Sequence, residues 1–319
     1  MCLSRDAVRR FLTAAAKVCQ GLKGLALIAG ALCLLPAGAW AQDSVPGKAV
    51  RLVHPRNESG SDLFIGYYWR VFAEALKQTN DAYGEVQLVQ SADLMNHLRA
   101  MEELAAGTVD VYVRAYLPAA FADRLELVPV PIDRGLLGHR FLFTHRALLP
   151  ALAKVRTLDD LRAFSFGQGA VWVDADILSR AGLKVLRSST YEGLFPMVQN
   201  RHVDLLPRGA NEIRGEALRH RETEPDLVVE PNLVLAYPLS FYYMVRKDEA
   251  GRQLKARLLL GLQRMRANGT LDRMFNEMKG QVLAGLDVKS RRIIRIGNPL
   301  YNKPYYMTAH PELWDDITK

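Results

Sequence analysis

Beyond residue 41 this sequence has no cysteine: Cys2, Cys19 and Cys33 all fall within the first 41 residues. Without that segment the chain cannot form disulfides, thiolate metal sites or cysteine nucleophiles. It also lacks long apolar runs, and the uncharged stretch 25–35 is too short to cross about 30 Å of hydrocarbon, which takes roughly 20 residues. There is no His-Glu-x-x-His, no Gly-x-Ser-x-Gly, no Walker loop and no complete dinucleotide fingerprint. The seven histidines show no ligand spacing, so no metal or cofactor is expected, and the chain reads as a binder rather than an enzyme. No basic stripe with interleaved aromatics appears, which argues against nucleic acid as a partner.

The first 41 residues do have a pattern. Arg5, Arg9, Arg10, Lys17 and Lys23 precede the apolar run, and Pro36 and Ala39-Trp40-Ala41 follow it. A basic region, a short apolar core and a small-x-small site predict an export signal over residues 1–41, cleaved after Ala41. Cys33 as a lipidation site is disfavoured by the bulky Leu32 before it. The product is expected in the periplasm, with 278 residues and a formal charge that falls from +8 to +4, because the leader carries five basic residues and one acid. A chain of that size can bury two modest cores or one large one.

Along the remainder, apolar periodicity alternates between strand and helix. Residues 49–55 read as a strand, and 61–79 as a helix whose buried face is Phe64, Tyr67, Tyr68, Val71, Phe72, Ala75 and Leu76. Ser91 is expected to cap a second helix carrying Leu94, Leu98, Met101 and Leu104, ended by Gly107 before a strand at 109–113. Further strands are expected at 138–144, 164–166, 183–186, 203–206 and 239–245, and helices at 157–163, 192–200, 249–268 and 270–279. Such alternation predicts an α/β fold with largely parallel sheets between helices.

Several segments, in order, resemble one family. They are Arg99-Ala100-Met101-Glu102-Glu103-Leu104-Ala105-Ala106-Gly107-Thr108-Val109-Asp110, Thr157-Leu158-Asp159-Asp160-Leu161, Phe166-Gly167-Gln168-Gly169, Asn200-Arg201-His202-Val203-Asp204, Tyr243-Met244-Val245-Arg246-Lys247 and Asn268-Gly269-Thr270-Leu271-Asp272-Arg273-Met274-Phe275. Together they are similar to type II periplasmic solute-binding proteins of the polar amino-acid group, solute-binding family 3. The tail and Gly135-Leu136-Leu137-Gly138-His139-Arg140 resemble a proteobacterial subgroup of it with no assigned ligand. The resemblance implies two lobes joined by two crossover strands, with lobe 1 at 48–139 and 243–290, lobe 2 at 140–242, and a C-terminal extension at 291–319. It also implies a monomer that closes on a small polar or zwitterionic solute and hands it to the membrane permease of an ABC transporter. An enzyme on the same fold, dehydratase-like or peptidoglycan-processing, and a sensor lobe acting through a partner are the alternatives.

The resemblance also directs attention to particular side chains. Gln168 and Gly169 precede a helix whose first turn holds Trp172 and Asp174, a setting suited to an anion unless Asp174 simply caps the helix. Ala170 and Val171 stand where the family has a Ser or Thr. Trp172 either stacks on a ligand or fills the core beneath the loop. Arg114 and Arg124 both qualify as carboxylate-binding arginine. Arg208 replaces the family's ammonium-binding acid and would meet an anionic group or pair with Glu212, which would otherwise take the acid's role. Glu58 is a further acid expected to face the cleft.

Overall fold

The computed structural model describes residues 50–57, 63–299, 313–315 and 317. Two aspartates fasten strand entries in the same way. Asp110 accepts from the Val53 amide (2.8 Å) while its own amide donates to the Val53 carbonyl. Asp204 accepts from the amide and the hydroxyl of Ser165, both at 2.7 Å. Gly107-x-x-Asp110 and Arg201-x-x-Asp204 thus each tie the chain, as it enters a new strand, to another strand's backbone.

The strands are β1 (Val50–Asn57), β2 (Val86–Met95), β3 (Tyr112–Arg114), β4 (Leu125–Leu127), β5 (His139–His145), β6 (Ser165–Gly169), β7 (Lys184–Ser188), β8 (Leu205–Gly209), β9 (Leu227–Val229), β10 (Leu233–Ala236), β11 (Tyr242–Arg246) and β12 (Arg292–Arg295). The helices longer than one turn are α1 (Leu63–Lys77), α2 (His97–Ala106), α3 (Val173–Arg180), α4 (Leu194–Gln199), α5 (Ala210–Arg219), α6 (Glu249–Ala267) and α7 (Thr270–Leu283).

Two layered bodies result. One holds the parallel pair β1–β2 and the sheet β3-β11-β4, covered by α1, α2, α6 and α7. The other is built on β12-β10-β5-β8-β6-β7, with β9 beside β5. Pairing is parallel within the βαβ units and antiparallel where β5, β10 and β11 join them. Tyr67, Tyr68, Val71, Phe72, Ala75 and Leu76 are all buried on α1, the spacing of one helical face. Against it, α6 comes so close that a Cβ on Gly261 would lie 2.1 Å from the Ala75 carbonyl oxygen.

Several expected boundaries move. Ser91 caps nothing: residues 86–95 extend as β2 because they pair with β1, and Asn96 is the cap, accepting from the Arg99 amide at 2.9 Å. Gly167-Gln168-Gly169 is the end of β6 rather than a loop, and Arg208 lies within β8 rather than after it. The tail from residue 291 contributes β12, which pairs in parallel with β10.

The two bodies are connected by residues 133–138, which lead into β5, and 237–241, which lead out of β10. These crossings touch backbone to backbone. Gly138 donates to the Leu239 carbonyl (3.1 Å), and a Cβ there would lie 1.9 Å from the Tyr237 oxygen, so only glycine fits.

Candidate functional site

Both crossings leave the large sheet at one edge, since the start of β5 pairs with the end of β10 and with Gly209 at the end of β8. That edge also carries the carboxyl ends of the parallel strands β6 and β8. It is a topological switch point, because β6 continues to β7 on one side and the chain returns to β8 on the other. Open α/β sheets bind ligands at such points. The β6–β7 ladder runs to Gly169↔Ser188, but the β6–β8 register holds only at Phe166↔Leu205. Pro207, which lacks an N–H, lies in β8 next to the edge, so the two strands part there.

A network of charged and aromatic side chains closes over this split, and strand alternation sorts it onto two faces. On one face Arg140 pairs with Asp174 of α3 (2.6 Å), and its Nε donates to the Tyr237 hydroxyl (3.1 Å), which in turn donates to Asp174. On the other face Arg208 is only 5% exposed. Its Nε donates to both oxygens of Glu216 (2.8 and 3.1 Å), and its Nη2 meets Glu216 and Glu212 at 2.5 and 2.9 Å. Tyr191 donates to Glu216 at 2.7 Å. The Arg208 guanidinium lies 4.7 Å over the Trp172 ring and 5.6 Å over the Tyr191 ring. Trp172 in turn rests directly on Gly169, where a Cβ would fall 2.6 Å from the indole.

Glu212 joins the two faces around the end of β8. One oxygen contacts Arg208; the other accepts from the Gly209 amide (2.9 Å) and lies 3.9 Å from Arg140. Two guanidiniums therefore face three carboxylates, and Glu212 is the most accessible of the three, with 28% of its side chain exposed. Burial, reinforced by the nearby Glu216 carboxylate, raises the Glu212 carboxyl above its ordinary range despite the pull of Arg208. For Arg140 and Arg208 burial works against the charge, but the facing acids outweigh it and hold both above the usual arginine range.

Gln168 stands on the Arg140 face of β6. It is 1% exposed, and neither atom of its amide has a hydrogen-bond partner among the described residues. Buried polar groups are nearly always satisfied, so an amide left open beside a parted strand end singles out this spot.

Across the crossings, Arg114 ends β3 opposite Tyr242, at the edge from which β11 starts. Its Nε is buried without a hydrogen-bond partner among the described residues. Arg124 instead makes an exposed pair with Glu102 (3.0 Å) over the Phe121 ring. Glu58 lies outside the described residues.

The structure thus brings Gln168, Gly169, Trp172, Asp174, Arg208 and Glu212 to one sheet edge and sets Arg114 on the edge of the other body. Sequence reasoning missed Arg140, Glu216 and Tyr237. The one available signal was Glu216 standing four residues after Glu212, on the same helical face. An open groove of about 770 Å³ along α7, lined by Asn276, Lys279, Asp287, Lys289 and Ser290 among others, shares no residue with this edge.

No protein-family model and no curated protein matches the chain. Similar solved structures include the probable amino-acid ABC transporter extracellular-binding protein of Bacillus subtilis, with 12% identity over 72% of this chain and 98% of that one, at a TM-score of 0.52. The arginine-specific periplasmic binding protein of Salmonella typhimurium is 13% identical over 72% and 99%, at 0.49. The second Venus-flytrap domain of Bordetella pertussis BvgS is 15% identical over 72% and 93%, also at 0.49. At 12% identity the likeness to the Bacillus subtilis protein is one of fold. The chain has the two-lobe α/β fold of type II periplasmic solute-binding proteins.

Proposed function

We propose that this protein is an exported receptor which captures a small amino-acid-like solute between its lobes and presents it to an ABC importer as a monomer. The observation that carries the reading is the charge imbalance at the large sheet's carboxyl edge, where three carboxylates meet two guanidiniums and leave Glu212 as the reachable surplus. A solute ammonium or guanidinium placed against Glu212 balances the cluster. Trp172, Gly169 and the open amide of Gln168 form the rest of that wall, while Arg114 on the facing lobe grips the solute's anionic end. Asp174 and Arg208 act by positioning, since their charges are already paired within the lobe. Lobe boundaries at 48–139, 140–242 and 243–290 place both crossings beside this wall, and hinge closure completes the site. The fold itself supports solute binding. Among the described residues no helix is long and apolar enough to cross a membrane.

Calorimetric titration of Glu212→Gln against the wild type tests this, using a panel of zwitterionic, cationic and purely anionic solutes. A cation-bearing solute should bind the wild type and lose about 1.5–3 kcal/mol in the variant, the range for a charged hydrogen bond. It should also be recovered chemically unchanged, which separates a receptor from an enzyme on this fold. Binding confined to anions, or unaltered in Glu212→Gln, would refute the assignment.

A further inference from the structure

We propose that the C-terminal segment is a clasp on the hinge, which grips both lobe-connecting crossings and sets how far the lobes swing. Two crossings alone would let the lobes turn about residues 133–138 and 237–241. This chain adds a third connection. After α7, Arg291 donates to the Leu286 carbonyl (2.6 Å) on one side, and to the Glu230 carbonyl and the Leu233 carbonyl (3.3 Å) on the other. Then β12 joins the large sheet, and the Ile296 amide bonds the Ala236 carbonyl at 2.9 Å, the last residue before the second crossing.

Both crossings are then held directly. Asn298 donates its side-chain amide to the Pro238 carbonyl at 2.7 Å, on the second crossing. Trp314 packs on Gly135, on the first, so closely that a Cβ there would lie 2.4 Å from the ring. The Asp315 amide bonds the Arg134 carbonyl (2.9 Å), and its carboxylate pairs with Lys279 of α7. Leu313 and Ile317 are buried alongside.

From the inner side, buried Asp133 ties the same two crossings together. It accepts from the Leu137 amide (3.1 Å), the Phe241 amide (3.2 Å) and the Ser240 hydroxyl. Hinge motion needs backbone rotation at a few residues, and here those residues are gripped on both sides. Opening the lobes fully therefore requires Trp314 and Asp315 to leave the first crossing. This inference rests on the fold and not on which solute is bound.

The test is hydrogen exchange and X-ray scattering on the purified full chain carrying Trp314→Ala with Asp315→Asn. The Leu137, Gly138 and Phe241 amides should exchange at least tenfold faster than in the wild type, with mid-strand amides of β5 and β11 unchanged and a larger radius of gyration. Lys279→Gln removes only the ion pair on the α7 side and leaves every apolar group in place, so it should give the same pattern more weakly even if the double variant folds poorly. Unchanged exchange at the crossings, exchange raised equally in the strand interiors, or an unchanged radius would each overturn the clasp.

Discussion

Replacing Arg208 with alanine separates a residue that holds the lobe together from one that holds the solute. The guanidinium is desolvated, with 6% of its side chain exposed, and Glu216 beneath it has 4% exposed. Removing it leaves Glu216 without a cation and Glu212 with only the 3.9 Å contact to Arg140. Breaking a buried pair by deleting one partner costs about 3–5 kcal/mol, and losing the desolvated stack on Trp172 adds up to about 2 kcal/mol. Against a total stability of about 5–15 kcal/mol, Arg208→Ala should be severely destabilised in the absence of any solute. Urea denaturation at pH 7 of the wild type, Arg208→Ala, Glu216→Gln and the double variant measures this. The double variant should lose less than the sum of the singles, with a coupling of about 2–3 kcal/mol. A loss below about 1 kcal/mol in Arg208→Ala, the cost of an exposed pair, would refute this reasoning, as would strict additivity.

Two further predictions concern single buried contacts. Burial raises the Asp133 carboxyl from its ordinary 3.8 to about 6, despite hydrogen bonds from Ser240 and the Phe241 and Leu137 amides. An acid raised on folding stabilises the native state when protonated, a contribution complete below about 3.8 and lost as pH rises through about 6, worth about 3 kcal/mol. The stability of wild type minus that of Asp133→Asn, from denaturation curves, should therefore fall by about that amount between pH 4 and 7; a flat difference contradicts it. Gly169→Ala should push the Trp172 ring off Arg208 and cost about 1–3 kcal/mol, with a shift in tryptophan emission that disappears in a Trp172→Phe background. An emission spectrum unaffected by Gly169→Ala would mean that the ring does not rest on that glycine.

Some of this molecule was legible before any coordinates. The buried face of α1 follows from apolar spacing alone, and the two strand-entry aspartates stand out because each follows a helix end and precedes an apolar run. Boundaries set by pairing were less legible. Gly167-Gln168-Gly169 reads locally as a loop, yet it is a strand end because β7 supplies its ladder and Val203 packs against the missing Cβ of Gly167. Ser91 reads as a helix cap, yet β1 draws it into β2.

Local pattern therefore determined which segments form helices and strands, and the α/β rhythm, because those depend on neighbours within a turn or two of the chain. Tertiary structure alone decided the site. Arg140 meets Asp174 and Tyr237 across 34 and 97 residues of sequence, and Arg208 stacks on Trp172 across 36. Only the sheet order that sets β5, β8 and β6 side by side gives those side chains one edge. The same holds for the described part of the tail, whose apolar residues carry no periodicity of their own. It is a strand and a hinge contact because β10, Gly135 and Pro238 present backbone and space that it fills.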